Sequence, residues 1–418
     1  MDKNLFLLAL IIAAGFAACE DKGNPKDNPG NPDISKESCI VTFNANGGAG
    51  GQTTSVTAVS GQAMPALGAQ IPTYETNSHP GDPYENNYEK KYFNGYWDAQ
   101  TGGKKYYNAD LSSAANWDKT ADTVLYAQWL TPAEKLGVTL GGAGAAQYGW
   151  IDDFVAYYVD TPPTIDGNGR DPAWAKASWR DINYLWGYQT SPLVPPAGGA
   201  NPSPAGGQIP KVDDFKGRFK VVWTAERLYV LVEIIDDVIK TPNINAAYTN
   251  PENNDCLELF ISEKASSATS RGSTANFFAY HMNLNEVDVM DYVGGNNNST
   301  DPNIRIENGF IKRNNHLNYK ISKNDGTHTY IWETEMKVYD GDSYPTNSSP
   351  ADKTPVTLTE GKKMGFAAAY NDNDDHVSGN LNKRNHFFGS MYVQGSTDEA
   401  RNQGYRNPSV YAKLYLVK

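Results

Sequence analysis

From Arg218 to the C-terminus, apolar residues recur at every second position, and no stretch there repeats them at a helical spacing. Phe219, Val221 and Trp223 alternate with polar or smaller neighbours, and after a short turn Leu228, Val230, Val232 and Ile234 resume the pattern. Side chains of an extended chain point alternately to opposite faces, so this period builds sheet and argues against a helical bundle. Four more sets follow: Leu257, Leu259 and Ile261; Phe278, Tyr280, Met282 and Leu284; Tyr330, Trp332, Thr334 and Met336; Met364, Phe366, Ala368 and Tyr370. Leu414 and Leu416 close the chain. Such strands with turn-rich connections predict a mainly β protein whose C-terminal part is an antiparallel β-sandwich.

At 418 residues the chain is long enough for two or three domains. Its N-terminus reads as an address. Leu5 to Ala18 is an apolar run behind Lys3, too short to cross a bilayer comfortably but suited to a secretory signal. It ends Phe16-Ala17-Ala18-Cys19. Two small residues before a Cys resemble a bacterial lipobox, which implies a signal peptide over 1–18 and lipid attachment at Cys19. The other reading is an ordinary secretory signal with a chance Cys. Residues 19–38 are polar and rich in Gly and Pro, as expected of a flexible tether. The acidic stretch after Cys19 resembles the export pattern of surface lipoproteins in Bacteroidetes. That resemblance implies a cell-envelope, outer-membrane, surface-exposed protein held to the membrane by its lipid.

Between 39 and 130 the chain reads Ile40-Val41-Thr42-Phe43, then Asn46-Gly47-Gly48, then Thr101-Gly102-Gly103, and ends Leu125-Tyr126-Ala127-Gln128-Trp129. This order resembles the Listeria–Bacteroides repeat, the B-repeat of internalin-type proteins. The resemblance implies a smaller β-grasp-like module with a spacer or adhesion role. A Tyr- and Asn-rich insertion, about 73–91, expands its middle. Residues 131–150 loosen into Gly and Ala and read as a linker.

The remainder, 151–418, opens with Thr164-Ile165-Asp166-Gly167 and Asp171-Pro172-Ala173-Trp174. Asp255-Cys256-Leu257-Glu258-Leu259-Phe260-Ile261 and Asn371-Asp372-Asn373-Asp374 follow. Together these resemble a family 9 carbohydrate-binding module. The resemblance implies a sugar ligand stacked on aromatic faces and hydrogen-bonded by planar polar groups. Carried over position by position, it implies Glu258, His281, Asn402 and Tyr405 as binding residues. Tyr405 stands where the family has a Trp, and His281 stands where it has an Arg. The family's other Trp falls near Glu252, and Tyr248 is the nearest aromatic.

Several function classes are disfavoured. The 48 acidic residues outnumber the 36 basic ones, so the net charge of −12 argues against a nucleic-acid partner. Three Cys are too few for a disulfide framework or a Cys-rich zinc module, and Cys39 and Cys256 read as small buried hydrophobes. No G-x-S-x-G, H-E-x-x-H or Cys/His nucleophile pattern appears, so the chain reads as non-enzymatic, with separate glycoside hydrolases as partners. No cofactor and no metal site is expected. Asp236, Asp237, Asp372, Asp374 and Asp375 read as a solvated acidic turn, and structural calcium, which their hard oxygen donors suit, is the alternative. A surface adhesion or structural protein whose sandwich binds protein is the alternative function.

Overall fold

The computed structural model describes residues 37–68, 70–188, 215–239, 254–265, 277–284, 289–293, 316–339, 354–373, 386–394, 402–405 and 407–418. The chain forms two compact units: Met1–Thr76 with Lys90–Lys135, and Asn77–Glu89 with Leu136–Lys418.

The first sheet contains β1 (Ser38–Asn44), β2 (Val56–Val59), β3 (Tyr74–Asn77), β4 (Tyr88–Trp97), β5 (Lys105–Tyr107) and β6 (Thr123–Leu130). Its order is β2-β1-β6-β4-β3, with β5 on β4, and β1 runs parallel to β6. Cys39, Val41, Tyr96, Tyr106, Tyr107, Trp117 and Leu125 fill its core. One corner explains the motif residues at the two ends of this unit. Asn46 and Gly47 adopt left-handed backbone, φ 47° and 88°. The Asn46 amide donates to Gln100 O and Ala127 O, both at 2.9 Å. A Cβ on Gly48 would lie 2.3 Å from the Trp129 ring, so only Gly lets that indole close. Gln128 Nε2 donates to Ala99 O (3.0 Å) and Gly102 O (2.6 Å), holding the Thr-Gly-Gly turn.

The stretch read as linker contains two short helices, α1 (Pro132–Leu136) and α2 (Ala145–Tyr148). The second unit then runs through β7 (Phe154–Tyr158), β8 (Arg180–Ile182), β9 (Tyr184–Tyr188), β10 (Phe215–Trp223) and β11 (Leu228–Asp236). It continues with β12 (Cys256–Ser262), β13 (Phe278–Asn283), β14 (Val289–Val293), β15 (Leu317–Asn324) and β16 (Thr329–Met336). Last come β17 (Lys363–Asp372), β18 (His386–Gly389) and β19 (Ala412–Val417). The alternating sets fall on β10, β11, β12, β13, β16, β17 and β19.

Hydrogen bonding follows the path β14-β13-β12-β17-β19-β7-β10-β11-β16-β15. Rings from its two halves meet face to face. Phe215 stacks on Phe388 at 4.2 Å and on Tyr370 at 5.4 Å, and Phe219 stacks on Phe366 at 5.5 Å. The expected sandwich is present, with one departure from antiparallel pairing. β7 runs parallel to both β19 and β10. Neither neighbour is joined to β7 by a hairpin, so no tight turn imposes the antiparallel direction.

The opening motif is pinned by a buried carboxylate. Glu333 Oε2 accepts from the backbone N–H of Gly167 (2.7 Å) and Asp166 (3.0 Å). Its Oε1 accepts from Trp174 Nε1 at 2.8 Å. The Asp171 side chain caps the 3-10 turn Pro172–Lys176 by accepting from Ala173 N at 3.0 Å. Ile165-Asp166-Gly167 and Asp171-Pro172-Ala173-Trp174 therefore dock as one piece on β16.

Candidate functional site

Period two decides which residues share a face. On β12, Leu257, Leu259 and Ile261 point into the sandwich core, and Glu258 and Phe260 point to the opposite face. Register carries the Glu258 face across the layer. His281 pairs with Glu258, Glu258 with Ala369, Ala369 with Gly389, and Gly389 with Tyr184. These five positions form one row on one face.

That face is covered as well. Every residue of β12 is buried, so the alternation marks two buried surfaces of different polarity. Trp186, fully buried, lies across the row. A Cβ on Gly389 would sit 1.9 Å from its indole, so this position requires Gly. Phe260 and Phe387 meet the same indole at 6.2 and 5.2 Å, and Trp186 Nε1 donates to Met391 O at 2.9 Å. Gly404 seals the other side, where a Cβ would approach within 2.6 Å. The 3-10 turn Asn402–Tyr405 is thereby held against the Glu258 face.

Of the four residues expected to bind, Glu258 and His281 meet directly. His281 Nε2 lies 3.1 Å from Glu258 Oε1. Asn371, which sequence reasoning had not singled out, donates its Nδ2 to the same oxygen at 2.5 Å. It sits in the Asn371-Asp372-Asn373 turn motif, which was the available signal. Glu258 and His281 are only 2% and 6% exposed, so they offer a ligand little area. Tyr405 is half-buried and packs against the edge of the core. It is the candidate with a usable ring surface. The Asn402 backbone belongs to the same turn, while its side chain lies outside the description, as do Tyr248 and Glu252. Trp186 is a core residue, and Tyr184 is half-buried against Trp150 and Tyr392.

A second cluster joins the two layers at one end. Asp236 ends β11, Asp255 precedes β12 and Asp372 ends β17. One carboxylate oxygen of each lies within 4.8 Å of the others, and all three residues are buried. Tyr370 Oη donates to Asp236 Oδ2 at 3.0 Å, and Asn373 N donates to Asp255 Oδ1 at 2.9 Å. His386 Nδ1 is 3.0 Å from Asp372 Oδ2. Burial first, then the three carboxylates, hold the Tyr370 phenol well above its ordinary range. Three like charges this close need a cation or protons, and all-oxygen donors fit calcium. Asp255 takes the place expected of Asp237, which is exposed, and Asp374 and Asp375 lie outside the described residues. The convergence needs strand ends from both layers, which no local spacing reveals.

Comparisons with known proteins bear on the same region. The family described as "Carbohydrate family 9 binding domain-like" matches residues 200–418. No curated protein matches the chain. A family 9 carbohydrate-binding module from Caldicellulosiruptor kristjanssonii, solved in complex with glucose, is similar at 19% identity and TM-score 0.38. That match covers 63% of this chain and 95% of the other. The same organism's module in complex with cellotriose is similar at 19% identity and TM-score 0.36, over 63% and 94%.

Proposed function

The chain belongs to the carbohydrate family 9 binding domain-like family, and we propose on that premise that it binds poly- or oligosaccharide without cleaving it. Membership over 200–418 is the observation that carries this reading. The half-buried Tyr405 ring, next to Gly404, which packs on Trp186 over the Glu258 face, supports it, because an aromatic plane near hydrogen-bonding groups suits a pyranose. Glu258, His281 and Asn371 form a preorganised polar set on that face, and Tyr405 supplies the stacking area. Bond cleavage falls to separate hydrolases. Asp236, Asp255 and Asp372 hold a structural calcium in this reading. The apolar run before Cys19 supports a lipid anchor at that residue in the outer membrane, with residues 39–130 as a surface spacer. Among the described residues, no helix is long and apolar enough to cross a membrane.

The test is a glycan array and affinity-gel screen of the full mature chain. Retention on at least one glycan is expected. No ligand at millimolar concentration would overturn the reading and leave protein adhesion as the function. Replacement of Cys19 with Ser should move the protein from the membrane to the soluble fraction.

A further inference from the structure

We propose that residues 77–89 are a docked strap, recognised by the outer face of β8, β10 and β11 and able to leave and return as a unit while the sandwich stays folded. In sequence this segment lies inside the insertion of the N-terminal repeat, yet it belongs to the second unit.

Three kinds of recognition converge on it. The first is a ring pocket. Tyr84 is 6% exposed, meets Trp179 edge-on at 5.2 Å, and has the Arg170 and Arg218 guanidinium groups each 5.4 Å from its centroid. Its hydroxyl donates to Glu233 on β11. The second is a charge relay. Arg218 Nε donates to Glu233 Oε1 (2.5 Å), while its two Nη groups grip Glu85 of the strap at 2.7 and 3.1 Å. This two-pronged geometry is the strong form of an arginine–carboxylate contact. The third is a backbone clamp. Lys220, fully buried, donates to Pro83 O (2.9 Å), Asn86 O (3.2 Å) and Trp174 O (3.3 Å). Trp179 Nε1 donates to Tyr84 O at 2.6 Å, and Ser178 Oγ accepts from Tyr88 N at 2.8 Å.

These contacts run through side chains on at least one partner. Among the described residues, positions 78–87 pair with no strand of the sandwich. Release therefore breaks none of the ladder hydrogen bonds that hold β8, β10 and β11 together. Release uncovers Arg218, Lys220 and Glu233, which water solvates readily, together with Trp179 and the apolar side chains clustered with Tyr84, Val222 and Leu231 among them. Such a piece can open below the free energy of global unfolding.

Hydrogen exchange of the full chain, read by mass spectrometry, tests this. Amides of 77–89 should exchange more slowly than an unstructured peptide and faster than β10 and β11. Tyr84→Ala should speed exchange of 77–89 on the order of tenfold or more while leaving β10, β11, β12 and β17 unchanged. Tyr84→Phe, which keeps the ring, should give a smaller increase. Exchange of 77–89 at the unstructured rate in the parent would overturn docking. Equal acceleration of the strap and β10–β11 in either variant would overturn its separability.

Discussion

Tyr405 and His316 carry the clearest consequences of a single side chain. Tyr405 was legible in sequence as an aromatic in a C-terminal loop, and the structure shows it half-buried, next to Gly404, which packs on Trp186. Removing its ring in Tyr405→Ala should cost roughly 1.5–3 kcal/mol of sugar binding, about ten- to a hundredfold. Glu258→Gln should cost less, since it keeps an acceptor for Asn371. Calorimetry against the glycan found by screening, with circular dichroism as the fold control, decides it. Parent-like affinity in Tyr405→Ala would place the site elsewhere. His316 was invisible in sequence. It is fully buried, shares a 2.8 Å hydrogen bond with Tyr280, and is pushed by burial down to about 3, with Lys337 and Arg227 adding to the shift. The unfolded ring titrates near 6.5. Between these values the unfolded chain holds a proton that the folded chain lacks, so stability falls as pH falls, by up to about 1.4 kcal/mol per unit. Asp152, raised by burial to about 6, acts in the opposite direction as its folded form protonates first. The difference between parent and His316→Phe isolates the ring. From pH 7.5 to 5 the parent should lose about 1–2 kcal/mol more than the variant in denaturant unfolding. Parallel profiles would contradict the buried neutral imidazole.

At the scale of elements, the strands with strict alternation were readable from the order of residues alone, because period two is a local property of the chain. β9 and β18 were not, since Gly187 and Gly389 interrupt their apolar pattern. The gap at Gly389 exists to receive Trp186, a contact between segments some two hundred residues apart. The burial of both faces of β12 was likewise hidden, because the covering groups come from β9 and the 402–405 turn. The carboxylate cluster belongs to this scale, being built from the ends of β11 and β17 and the residue before β12. Calcium should raise the melting temperature and chelator should lower it. At a hundredfold excess over its dissociation constant, the gain is about 2.7 kcal/mol. Asp255→Asn should abolish most of that response. A parent whose melting is indifferent to calcium and chelator would argue that protons neutralise the cluster instead.

At the scale of the whole molecule, the strap changes what counts as the C-terminal unit. A fragment of residues 136–418 retains the sandwich strands but leaves Lys220 and Glu233 without the partners that 77–89 supplies. It should fold and unfold at lower denaturant than the sandwich of the full chain, by roughly 2–4 kcal/mol for the lost bonds and ring burial. Equal midpoints would show that the strap adds nothing to stability. Residue order alone settles the mainly β architecture, the turn at Asn46-Gly47-Gly48 and the sharing of a face by Glu258 and Phe260. Each of these follows from backbone sterics and alternation within a few residues. Packing between distant segments is what roofs the Glu258 face with Trp186, brings Asp236, Asp255 and Asp372 together, and docks 77–89 on β10 and β11. Those outcomes depend on burial and charge pairing between segments far apart in the chain, where local pattern holds no information about the partner.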